Sequence, residues 1–160
     1  YFEVYKLEMW MSGIVNEYKD FERYRSKAFR SHVNSKFNQK IKYEDDDINI
    51  IANLISSFNI WNKNIPAMIR CYFDDTRILL NKIFNMLKSN SSCFIIVANS
   101  AYKGIIIPTD LIIAQIATKL GFKVKEITYA RKIRSSSQQN FELKKLDNNL
   151  MRETIIEIIK

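Results

Sequence analysis

Between the polar turn Ser89-Asn90-Ser91-Ser92 and the polar pair Asn99-Ser100 stands an unbroken apolar run, Cys93-Phe94-Ile95-Ile96-Val97-Ala98. A run with no polar alternation suits a strand covered on both faces, as in a sheet flanked by helices. Its surroundings narrow the architecture. Pro108-Thr109-Asp110 opens a helical segment, because proline's fixed φ and missing N–H suit a first turn. Leu111, Ile112, Ala114, Ile116, Ala117 and Leu120 then point one way until Gly121. Residues 122–129 predict the next strand, and a helix over 66–87, with Ile69, Tyr72, Thr76, Leu79, Leu80, Ile83 and Leu87 inward, precedes the apolar run. Helix, strand, loop, helix, strand is the repeating unit of a parallel α/β sheet. The last strand, 154–159, follows without an intervening helix, so it closes as an antiparallel hairpin.

Upstream the pattern is helical and more polar. A short helix is expected near 2–15, a surface helix over 17–29, and another over 47–58 whose amino terminus is favoured by the carboxylates of Glu44-Asp45-Asp46-Asp47. This divides the chain into a helical segment, 1–64, and an α/β part, 65–160. At 160 residues it buries one core, and 3 Gly with 2 Pro speak against collagen-like, disordered or all-β classes.

The formal net charge is +8, which favours an anionic partner, nucleic acid first. Cys71 and Cys93 lack metal-ligand spacing and no histidine stands near them, so no metal site is expected. His32, in a polar connection, reads as a surface residue. No apolar run is long enough to span a membrane, and no secretory leader is visible, which points to a reducing cytoplasm. The absence of an initiator Met at Tyr1 suggests that further sequence precedes it.

The stretch Val97-Ala98-Asn99-Ser100-Ala101-Tyr102-Lys103-Gly104 leading into Ile107-Pro108-Thr109-Asp110 resembles a segment of site-specific DNA amino-methyltransferases. In that segment a strand ends in V-x-N-S and a G-x-x-I-P-T-D element follows. Three more stretches fall in the same order: Cys71-Tyr72-Phe73-Asp74-Asp75, Arg131 through Gln139, and Met151-Arg152-Glu153-Thr154. The resemblance implies the C-terminal half of a Rossmann-like methyltransferase sheet, parallel strands ending in an antiparallel hairpin, with an N-terminal helical segment. It implies S-adenosylmethionine as cofactor, double-stranded DNA as partner, and methyl transfer to an exocyclic amine of cytosine or adenine. The family's Asp/Asn/Ser-Pro-Pro-Tyr tetrapeptide is absent, since neither Pro66 nor Pro108 has a proline neighbour. The glycine-rich donor loop is absent too, since Gly13, Gly104 and Gly121 are isolated. Both are expected in a missing N-terminal part of the same enzyme, the tetrapeptide just before Tyr1, and the chain alone is expected to be inactive.

Within the chain, Asn99 and Ser100 end a strand at its carboxyl edge, where open α/β sheets bind ligands. Tyr102 and Lys103 on the same loop suit a base and a phosphate. Lys132, Arg134, Ser136, Gln138 and Gln139 combine cations, hydroxyls and amides suited to phosphate contact and base-edge pairing. Arg152 and Glu153 read as a local ion pair, and Phe2, Tyr5 and Trp10 as core aromatics. The rival reading is a non-catalytic nucleic-acid-binding or interaction domain that keeps the scaffold and has lost the chemistry; an RNA or small-molecule methyltransferase is a third, the basic balance disfavouring only the small-molecule branch.

Overall fold

The structure, a computed structural model, describes residues 4–37, 40–133 and 150–160. Its elements run α1 (Lys6–Met11), α2 (Tyr18–Lys27), α3 (Asp46–Ser56), α4 (Ile65–Met86), β1 (Ser92–Ala98), β2 (Ser100–Tyr102), β3 (Ile105–Ile107), α5 (Thr109–Lys119), β4 (Lys123–Lys132) and β5 (Arg152–Ile159). The mixed α/β class and the larger elements follow the hydrophobic periods. Asp45 caps α3, its carboxylate accepting from the Asp47 N–H at 3.1 Å. The same carboxylate accepts from the Tyr43 hydroxyl at 2.8 Å and pairs with Lys119 at 2.6 Å. The acidic run therefore does start the helix, and it also ties α3 to the end of α5.

The sheet differs from the expected parallel pairing. Its order is β1-β5-β4, and β5 is antiparallel to both neighbours. β1 and β4 therefore run in the same direction, but with the last strand between them. The crossover through α5 spans two strand widths and leaves a slot, and β5 fills it with two antiparallel ladders. The hairpin expected of 122–129 and 154–159 is present in the pairing of β4 with β5.

β4 carries register shifts between Val124 and Glu126 and between Tyr129 and Arg131. The first is needed by the sequence. Val124 and Ile127 both pack against the core though three positions apart, which strict alternation forbids and one extra residue permits. The extra residue, Lys125, reaches back to Glu157 at 2.9 Å. Its ammonium holds that carboxyl below the usual carboxylate range, with Ser92 donating to the same oxygen at 2.9 Å.

The core lies on one face of the sheet. Cys93, Ile95 and Val97 of β1 and Ile156 and Ile158 of β5 meet Ile112, Ile113, Ile116 and Ala117 of α5 and Ile69, Phe73 and Leu80 of α4, and the same cluster takes in Ile48 and Ile55 of α3. Gly121 lets the chain turn tightly after α5 with φ +100; a Cβ there would come within 3.3 Å of the Phe84 ring, which packs edge-on against Phe122. Leu79, expected inward, is exposed on α4, while Phe73 and Asp74 are buried. Leu111, also expected inward, is exposed on α5. α1 buries none of its residues: Tyr5 and Trp10, expected in the core, are exposed because nothing among the described residues covers this short helix, and Phe2 lies outside the described residues.

The other face is bare, against the expectation for the apolar run. Phe94 is 63% and Ile96 67% exposed; Ile96 sits opposite Ile155 in the ladder. Among the described residues β1 has no neighbour on its far side. An unpaired edge beside an apolar face favours association. We expect the purified chain to sediment above its 18.9 kDa monomer mass at moderate concentration. Joint replacement of Phe94→Thr and Ile96→Thr should shift the distribution toward the monomer. Sedimentation velocity checks this, and an unchanged distribution would count against it.

Candidate functional site

The residues picked out around Asn99 separate into a frame and a cavity. Asn99, 4% exposed, spends its groups on the protein itself. Its backbone N–H donates to the Arg152 carbonyl at 3.0 Å, and its Nδ2 donates to the Leu150 carbonyl at 2.9 Å. Its Oδ1 accepts from the Asp110 N–H at 3.0 Å. Asp110 is fully buried, accepts from the Leu111 N–H at 2.9 Å, and pairs through Oδ2 with Arg152 Nε at 2.9 Å. Thus the ends of β1 and the starts of α5 and β5 are locked by three side chains. The expected pair of Arg152 with Glu153 is not formed: neighbours on a strand point to opposite faces, so Arg152 turns to Asp110 and Glu153 bonds Arg131 across the ladder.

Beyond the frame, the expected loop is a small antiparallel hairpin, β2 with β3. Lys103 and Gly104 form its two-residue turn, with φ +52 and φ +75. Positive φ at both central positions is what a type I′ turn requires; glycine meets it without strain and lysine at some cost. The hairpin lifts Lys103 into solvent and turns Ser100 and Tyr102 toward α4.

There they line a cavity of about 250 Å³ together with Tyr72 and Phe73 of α4, Thr109 at the start of α5, and Ser31. Tyr72 and Phe73 pack edge to face at 5.2 Å. Burial pushes the Tyr72 and Tyr102 hydroxyls above their ordinary titration range, so both rings are neutral near pH 7. The cavity is smaller than the roughly 300–1,000 Å³ of pockets that take drug-sized ligands. It suits a single planar ring with a few polar contacts at its rim.

Of the other residues singled out, Lys132 lies exposed near the end of β4 opposite Arg152. Arg134, Ser136, Gln138 and Gln139 fall outside the described residues. His32 is exposed, its Nδ1 accepting from the Asn34 N–H at 3.2 Å. Cys71 and Cys93 are free thiols, both pushed up by burial. Among the described residues no group of three or more His, Cys, Asp or Glu is placed to hold a metal, and no helix is long and apolar enough to cross a membrane.

Sequence reasoning missed a buried ion cluster that holds α4 to the segment before α3. Arg30, its side chain 9% exposed, donates from Nη2 to Asp74 at 2.8 Å and Asp75 at 2.6 Å, and from Nε to both Asp75 oxygens at 3.1 Å. The Asp74 Oδ1 accepts the backbone N–H groups of Lys42 and Tyr43 at 3.0 and 2.8 Å. The bonds to Asp75 hold the Arg30 guanidinium charged against the opposing effect of burial. A paired Asp-Asp on an otherwise apolar helix face was the available signal; its partner, 44 residues away, was not visible.

Comparison with known proteins finds similarity to Type II methyltransferases over part of the chain. Over 66 residues the chain is 39% identical to the Type II methyltransferase M.AvaI of Nostoc sp., and equally to that of Anabaena variabilis, which covers 41% of this chain and 14% of the relative. Over 79 residues it is 33% identical to the Type II methyltransferase M.BsoBI of Geobacillus stearothermophilus, covering 49% of this chain and 16% of that protein. The match thus takes in about one seventh of the length of these relatives. No family model matches the chain, and no solved structure does.

The frame makes an asymmetric prediction. Arg152→Met strands a carboxylate with no exposure and should cost about 3–5 kcal/mol. Asp110→Asn leaves Arg152, 24% exposed along its side chain, able to reach water, and should cost less, about 1–3 kcal/mol. Urea denaturation of the two variants tests the order; equal or inverted losses would remove the ion pair from the frame's role.

Proposed function

We propose, for a chain whose curated relatives are Type II methyltransferases, that it forms the later part of an S-adenosylmethionine-dependent DNA methyltransferase acting on an exocyclic amine of cytosine or adenine. The observation that carries this is the aromatic, hydroxyl-rimmed cavity beyond the carboxyl end of β1, framed by the same V-A-N-S and I-P-T-D stretches that carry the resemblance. Ligands of open α/β sheets bind at that edge. In this reading the order β1-β5-β4 is the end of a Rossmann-like sheet, whose remaining strands belong to the N-terminal part of the same enzyme and pair on the open side of β1. Residues 1–64 lead out of the catalytic segment, and 65–160 supply the closing half of the sheet.

An exocyclic amine is a poor nucleophile because its lone pair is delocalised into the ring, so catalysis rests on holding the base in position after it leaves the stack. Tyr102 and Tyr72 offer neutral aromatic faces, and the Ser100 hydroxyl offers a donor and two acceptor positions at the rim. Lys103 and Lys132, with Arg134 and Ser136, belong on the phosphates, and Gln138 and Gln139 at a base edge. Asn99 acts through the frame that orients Ser100.

The methyl group comes from S-adenosylmethionine. The residues of this chain do not fit that donor by themselves. Gly13 follows α1, Gly104 makes the hairpin turn and Gly121 packs under Phe84, so none opens a strand-to-helix turn where a donor's charged end would lie.

Two outcomes follow. The purified chain should transfer no labelled methyl group to mixed-sequence DNA above a no-protein control, whereas the full-length protein should; transfer by the chain alone, or none by the full-length protein, overturns the reading. In the full-length protein Tyr102→Ala should reduce methyl transfer roughly 5- to 150-fold, the kinetic equivalent of losing about 1–3 kcal/mol of base–aromatic stacking. Tyr102→Phe should retain most of it, which steady-state kinetics will decide.

A further inference from the structure

A second and larger concavity lies away from β1, between the end of α2, the connection after it, and the middle of α4. It encloses about 720 Å³ and is lined by Arg25, Lys27, Arg30, Lys36 and Lys82, with Asp75 as the one carboxylate among the described residues. A neighbouring hollow of about 450 Å³ shares Arg25, Ser26, Ser35 and Lys36 with it and adds Lys19 and Arg23 against Glu22. Shared walls make the two one trough.

Its electrostatics are one-sided. Asp75 is already engaged by Arg30, so it subtracts little from the field. Among the described residues Lys27, Lys36 and Lys82 have no carboxylate partner. Arg30 itself keeps one guanidinium nitrogen, Nη1, without an acceptor. Like charges gathered in a cleft repel one another and concentrate anions there. The floor is partly apolar: Leu79, Ile78 and Phe29 lie between the cations, which accounts for the exposure of Leu79 on a helix whose other leucine at this level, Leu80, is buried. Ser26 and Ser35 add hydroxyl donors.

We propose that this trough holds the sugar–phosphate backbone of duplex DNA. Two joined hollows with cations on both walls exceed what one phosphate group would occupy and fit a run of phosphates. Hydroxyls and flexible ammonium groups are backbone-positioning contacts and carry no sequence information. The choice of DNA among polyanions rests on the methyltransferase reading; the charge distribution does not. The trough then fixes the register of the duplex while the cavity beside Tyr102 receives one base. The buried Arg30–Asp74–Asp75 cluster sets the spacing of its walls by tying the connection to α4.

The test is binding of the chain to a short labelled mixed-sequence duplex, by fluorescence anisotropy at several salt concentrations. Joint Lys27→Ala, Lys36→Ala and Lys82→Ala should lower the magnitude of the logarithmic salt slope by about 2 to 3, since each phosphate contact contributes about 0.9, and should weaken binding at least about tenfold at low salt. A control set of equal charge, Lys63→Ala, Lys88→Ala and Lys123→Ala, lines neither hollow and should change the slope by less than about 1. Circular dichroism melts verify that both sets fold. Equal losses in the two sets overturn the proposal, as does the absence of duplex binding by the chain. Single-stranded RNA of the same length bound equally well, with the same dependence on the three lysines, assigns the trough to polyanions in general and overturns the duplex assignment. Methyl transfer by the full-length protein is read separately, so an active enzyme whose trough variants behave like the control set rejects the trough and leaves the catalytic reading standing.

Discussion

Everything at the working edge of this protein hangs on Asn99 and the ion pair behind it. Asn99 ends β1, and its side chain bonds both the first turn of α5 and the chain just before β5; Asp110 and Arg152 close the same loop of contacts with a charge. Take the frame away and three elements lose their mutual position together, because its contacts join all three. A fully buried carboxylate destabilises a fold unless it is paired and hydrogen-bonded, and Asp110 is both. The return is rigidity: the hairpin that bears Ser100 and Tyr102 grows directly out of this lock.

The motif was legible in the sequence, but its division of labour was not. Val97-Ala98-Asn99-Ser100 and Ile107-Pro108-Thr109-Asp110 stood out together, and the structure joins them through the Asn99–Asp110 hydrogen bond. Which member faces a ligand depends on alternation. Beyond the strand end, Asn99 turns inward and is buried, while Ser100 and Tyr102, two apart, reach the same cavity. The helices were legible because caps and periods are local: Asp45 before α3, the proline at the start of α4, Gly121 after α5. The sheet order was not, because nothing local to 154–159 says whether that strand lies outside its hairpin partner or between it and β1. The Lys103-Gly104 turn went unread because lysine is a poor indicator of positive φ. Likewise, Arg30 looked like one more surface cation until two aspartates 44 and 45 residues later surrounded it.

Burial on the two faces of the sheet carries a separate message. The inner face is complete, with isoleucines of β1, β5 and α5 meeting α4. The outer face leaves Phe94 and Ile96 in water beside Ile155. Single exposed apolar side chains are ordinary on a protein surface. Here they occupy alternate positions of the strand whose far edge has no partner among the described residues, and two kinds of incompleteness, packing and hydrogen bonding, coincide at one place. The sequence of β1 is the sequence of a strand covered on both sides, and the relatives extend far beyond the matched stretch. In the proposed reading both observations are met by one cause, a further layer and a further strand supplied by the rest of the enzyme.

That cause also orders the functional surfaces. If the missing strands pair along β1, the carboxyl end of β1 lies at the junction of the two parts, and the Tyr102 cavity stands where both contribute walls. The basic trough, between α2 and α4, is built wholly from this chain and needs nothing from that junction. A surface that only neutralises phosphates can be complete on one piece, since its contacts are additive and tolerant of small displacements. A site that positions a base for methyl transfer cannot, because a displacement of about 1 Å is enough to cost it two orders of magnitude in rate. In the proposed reading the polar frame of Asn99, Asp110 and Arg152 stands at the second kind of site. Lysines with no ion pair among the described residues, Lys27, Lys36 and Lys82, stand at the proposed first kind.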